Sequence, residues 1–77
     1  MNYIQRAQMA QKILTAAGTP DVTAVTLYGY RDSVNIHTHG PLPGFEYAPT
    51  RKGGHPRCEF VQDGVLVELV YTDGVAA

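Results

Sequence analysis

The sequence predicts a small α+β domain, an N-terminal helix packed on a four-stranded and largely antiparallel sheet in the order α-β-β-long loop-β-β. Three observations carry that expectation. A run without glycine or proline, Tyr3 to Ala17, sets apolar residues at helical spacing. Asp63-Gly64 stands between two runs rich in β-branched and aromatic residues, a strong short-range hairpin signal. Val22–Tyr30 and Ser33–His39 alternate in the period of strands, with Arg31-Asp32 between them.

In the helix, Asn2 suits the N-cap position, and Gly18 followed by Pro20 marks the stop. At about 100° per residue, Tyr3, Ala7, Ala10, Ile13, Leu14 and Ala17 share one stripe, opposite Gln5, Gln8, Gln11, Lys12 and Thr15. The stripe is expected to face the core. Its alanines allow close approach to a sheet but bring little apolar area.

The first hairpin places Val25, Leu27, Gly29, Val34, Ile36 and Thr38 inward, with Tyr28, Tyr30, Asn35, His37 and His39 outward. Its tip lacks the glycine of a type I′ turn, so a loop wider than two residues is expected. In the second hairpin, a type I′ turn at Asp63-Gly64 sets Gln62 opposite Val65, Phe60 opposite Val67 and Cys58 opposite Leu69. Cys58, Phe60, Val65, Val67, Leu69 and Tyr71 then form a core face. Arg57, Glu59, Val61, Leu66, Glu68 and Val70 lie on the other. Residues 40–56 hold four prolines and four glycines, too many for a regular element. Loops of such length are uncommon in compact domains unless functional or disordered. Phe45 and Tyr47 are expected to pin the first half of this one, leaving Arg51–Gly54 as a mobile tip. Strand order is not readable.

Seventy-seven residues form one domain with a small core. A formal net charge of −1 creates no field that would draw the chain to nucleic acid or an anionic membrane. One cysteine excludes an internal disulfide framework, and no apolar run could span a bilayer, so a cytoplasmic location is expected. The chain lacks the C-terminal helix of double-stranded-RNA-binding domains, and the second helix and aromatic strand signature of RRM domains.

Several constellations carry chemistry. His37 and His39 point the same way along a strand and, with His55 and Cys58, are the residue types zinc takes. Cys58 shares parity with the core face and the histidines do not, so no metal and no other cofactor is expected. Glu59 and Glu68 fall opposite each other, an unfavourable like-charge pair that neighbouring Arg57 would offset. An acid/base or metal-dependent enzyme centred on His37/His39 and Glu59/Glu68 would need a pocket, for which a domain this small rarely has room. No nucleophile elbow or redox pair is present, and no catalytic residue is assigned.

Arg51, Lys52, His55 and Arg57 could hold an anion or give weak, salt-sensitive nucleic-acid binding. The favoured surface is different. One helix leaves one sheet face open, where Tyr28, Tyr30, His37, Val61, Leu66 and Val70 form a candidate interface. The expected function is therefore a non-enzymatic protein–protein interaction module, binding a protein (itself as a homodimer, or another) through the open face and the long loop. An inhibitor or adaptor, including one encoded by a phage or mobile element, suits so short a chain.

Overall fold

A computed structural model describes residues 2–18, 21–29, 31–48 and 54–72. Helix α1 (Tyr3–Ala16) precedes β1 (Val22–Leu27), β2 (Ser33–His39), β3 (Arg57–Gln62) and β4 (Val65–Thr72). The order across the sheet is β1-β2-β4-β3; both hairpins are antiparallel, and the central β2–β4 pair is parallel. The expected class, one helix on a mostly antiparallel four-stranded sheet, is the one observed.

Both ends of α1 follow from local chemistry. The Asn2 side chain accepts from the Gln5 N–H at 2.8 Å while the Gln5 side chain accepts from the Asn2 N–H at 3.0 Å, a reciprocal capping box. At the C-terminus, Gly18 takes φ +89°, the left-handed conformation that closes helices. The buried stripe is Arg6, Met9, Ala10 and Ile13, with Ala7, Leu14 and Ala17 half-buried beside it. The expected stripe is thus rotated, and Tyr3, placed inward by periodicity, is 64 % exposed. Arg6 explains the rotation. Its Nη1 donates to the carbonyls of Tyr28, Arg31 and Ser33 at 2.8, 3.1 and 3.1 Å, so a cation occupies a core position by capping the first hairpin's tip.

The second hairpin matches its turn chemistry. Asp63 and Gly64 have φ of 52° and 78°, the two positive values of a type I′ turn, and the pairs Gln62–Val65, Phe60–Val67 and Cys58–Leu69 form as expected. In the first hairpin, Leu27 pairs with Val34 and Val25 with Ile36, which keeps the expected faces. Strand β1 ends at Leu27 and β2 opens at Ser33, so the connection between them is wider than two residues. Gly29 is exposed there, with nothing within 4 Å of where a Cβ would stand, so it marks no close approach of the helix.

Strand β4 sits in the middle because it is buried on both faces; Val65, Val67, Glu68, Leu69 and Val70 are all buried. With β4 inserted beside β2, the end of β2 and the start of β3 lie two strand spacings apart, about 10 Å. Residues 40–56 are far longer than this gap needs, and their first half folds onto the sheet beside α1. Leu42 is buried, Phe45 stacks on Phe60 with centroids 5.5 Å apart, and Tyr47 meets Tyr71 edge-on at 4.8 Å. Leu42 donates its N–H to the Tyr47 hydroxyl at 3.2 Å. The core is therefore Met9, Ala10 and Ile13 of the helix and Leu42 of the loop, against Val34, Ile36, Val65, Val67 and Leu69 of the central strands.

Candidate interaction surface

The outer face of the sheet carries the residues expected to bind. Their placement differs from a continuous apolar patch. Val61 is 70 % exposed, but on edge strand β3, while Leu66, Tyr28 and His37 are half-buried and Val70 is only 7 % exposed. Tyr30 lies outside the described residues. Long polar side chains account for the difference by folding over the apolar ground of this face. Val70 lies between His37 and Arg57 in the sheet. The His37 Nε2 is 2.7 Å from the Thr72 hydroxyl, and its ring is 5.5 Å from that of His55.

Glu68 and Glu59 are directly opposite, as the turn register requires. Arg57 does offset them, its Nη1 lying 3.5 Å from Glu68 and 3.7 Å from Glu59. The stronger partner is one the sequence pattern missed. Arg31 Nη2 donates to Glu68 Oε1 at 2.7 Å, Arg31 Nε donates to the Ser33 hydroxyl at 2.9 Å, and the guanidinium lies 5.1 Å from the Tyr28 ring centroid. Glu68 and Ser33 are nearly closed off from solvent beneath this arginine. Residues 31 and 68 are brought together only by the parallel β2–β4 pairing, so local spacing carries no sign of it.

The chemical constellations come apart in the fold. Cys58 lies on the core side, packed against the hydrophobic cluster, and His37 and His39 occupy the other face. Burial pushes the Cys58 thiol above its ordinary pKa, and the Glu46 and Glu59 carboxylates add to the shift. Among the described residues, no three His, Cys, Asp or Glu side chains converge as a metal site. Of the basic cluster, Arg51 and Lys52 lie outside the described residues, His55 stands against His37, and Arg57 is engaged by carboxylates. Among the described residues, no helix is long and apolar enough to cross a membrane.

A second surface was not foreseen. Between α1 and edge strand β1 runs a groove of about 460 Å³ lined by Ala7, Ala10, Leu14, Val22 and Val25, with Gln11 and Thr15 at its rim. Helix α1 approaches the sheet over β2 and β1, and the small alanines on its flank leave room beside β1. Val22 and Val25 stay 41 % exposed although they face the helix side. Among the described residues, no strand pairs with the outer edge of β1. The segment Val-Thr-Ala-Val-Thr-Leu carries no charge and no proline, the usual guards of an edge. That composition was visible; that it would stand at an edge was not.

Compared with known protein families, with curated proteins and with solved structures, the chain matches none of them.

Proposed function

We propose that this chain is a small, non-enzymatic protein-interaction module that binds by accepting an extended segment of a protein along β1. The observation that carries this reading is an edge strand without charge or proline running beside an apolar groove. Strand addition uses such a pair of features: main-chain hydrogen bonds at the edge supply affinity, and alternate side chains enter the groove. An inhibitor or adaptor working in the cytoplasm is compatible with a chain of 77 residues and one half-buried thiol. The outer face is the second reading, supported by exposed Val61 and half-buried Leu66 and Tyr28. The ion cluster of Arg31, Glu68, Arg57 and Glu59 favours the edge over it, because that cluster already satisfies the charges of the outer face internally.

The test is a displayed library of extended peptides selected on the purified chain, followed by titration of the isotope-labelled protein with the winners. Resonance shifts centred on Val22–Leu27 and Leu14 are expected. Shifts confined to Asn35, His37 and Leu66 would move recognition to the outer face. Binders that perturb neither surface would overturn the edge and the outer face alike.

A further inference from the structure

We infer that the segment received by β1 is the β1 strand of a second copy of this chain, paired antiparallel about a two-fold axis into a continuous eight-stranded sheet. The inference rests on the reading of β1 as an accepting edge and names its occupant. Three features select the copy over a foreign peptide.

The first is self-complementarity. A strand paired antiparallel with itself is an isologous contact, and an axis at the Val22/Ala24 bulge, which turns Val22 to the same face as Val25, lays Val22 and Val25 of each copy against Val25 and Val22 of the other. Both residues are 41 % exposed and line the groove, so the two grooves merge and Leu14 of each helix closes over the seam.

The second is charge. Among the described residues, no side chain lining the groove is charged, and β1 itself has no charge, so none of them offers a cation to a peptide carboxylate or an acidic side chain. Two copies of Val22–Leu27 meet without a like-charge pair, and a formal net charge of −1 per chain offers little long-range repulsion.

The third is need. The described core holds nine buried residues, and a domain this small gains disproportionately from further burial. Five of the six β1 residues are exposed, and pairing would cover them. A contact of one strand and one helix flank stands at the small end of specific interfaces, so dissociation on the order of micromolar is expected.

The experiment is sedimentation equilibrium of the full chain from micromolar to millimolar concentration, with hydrogen exchange of the β1 amides at both extremes. The mass should rise from 8.4 kDa towards twice that value, and the outward β1 amides should become protected as it does. Val25→Lys should weaken association at least tenfold, and Val25→Pro, which removes an N–H that points away from β2, should abolish it. Val61→Lys, on the opposite edge, should leave it unchanged. The wild-type exchange data stand even if a variant fails to fold. A wild-type chain that stays monomeric overturns the inference; if peptides still map to β1, the accepting edge survives without self-pairing. A dimer that ignores Val25→Lys but dissociates with Leu66→Arg places the seam on the outer face and overturns both.

Discussion

The two edges of the sheet are built from different material, and they meet solvent in different ways. Strand β3 alternates Arg57 and Glu59 outward with Cys58 and Phe60 inward, and the long loop lies against its inner side through Phe45. Its free backbone is partly satisfied as well, since the Ala48 N–H donates to the Arg57 carbonyl at 2.7 Å. Strand β1 has neither charge nor loop cover among the described residues. Its one guard is a bulge between Val22 and Ala24, after which Ala24–Leu27 runs in regular register. Sheets are held from edge-to-edge pairing by charge, cover or distortion. One edge here has the first two and the other has a small measure of the third. The difference separates a covered, charged boundary from an uncharged, open one.

The comparison can be broken most directly through stability. Phe60→Ala on the covered edge should cost on the order of 2–4 kcal/mol, because it removes the ring on which Phe45 stacks and opens a cavity beside Val67. Val25→Ala on the open edge should cost less than about 1 kcal/mol in dilute, monomeric protein, since Val25 is already 41 % exposed. Urea denaturation measures both. Equal losses would mean that β1 is as enclosed as β3.

A smaller effect sharpens the role of charge on the outer face. Arg31→Ala should destabilise by about 1–2 kcal/mol, leaving the Glu68 carboxylate, itself nearly buried, with the longer Arg57 contact. Arg57→Ala should cost less, about 0–1 kcal/mol, because it is half-exposed and its carboxylates lie at 3.5 and 3.7 Å. Reversal of that order would give Arg57 the dominant part in holding Glu68.

Thiol chemistry reads out cover on the two edges. Cys58 should react slowly with a bulky alkylating reagent in the native protein, as burial hinders access and raises its pKa. A cysteine placed at position 25 in a Cys58→Ser background should react roughly tenfold faster or more in dilute solution. The same shift predicts alkaline sensitivity. The folded chain holds the Cys58 proton to higher pH than the unfolded chain, so this stabilisation is complete below the thiol's ordinary pKa and is lost as pH rises through the folded value. Tyr47 acts in the same direction at higher pH, burial outweighing its hydrogen bond from Leu42. Denaturation midpoints should therefore fall on the alkaline side, less so in Cys58→Ser. The smallest effect is expected at Val61→Ala, within about 0.5 kcal/mol, for a side chain 70 % exposed on the guarded edge.

By itself the sequence determined whatever neighbouring residues negotiate among themselves. The Asn2–Gln5 capping box and Gly18 bound the helix, and Asp63-Gly64 set the β3–β4 register down to the Glu59–Glu68 confrontation. Strand alternation separated Cys58 from the histidines. Each depends on a few consecutive dihedral angles, which local composition controls. Only the tertiary structure decided which strands became edges, that β2 and β4 run parallel, and that a groove opens beside β1. It also recruited Arg6 to carbonyls 22 to 27 positions away and Arg31 to a carboxylate 37 positions away. Such partners share no local signal, because their energies depend on packing an apolar β4 into the centre of the sheet. The near-continuous apolar run of β4 was the one legible hint of that placement, since a strand buried on both faces favours the middle of a sheet.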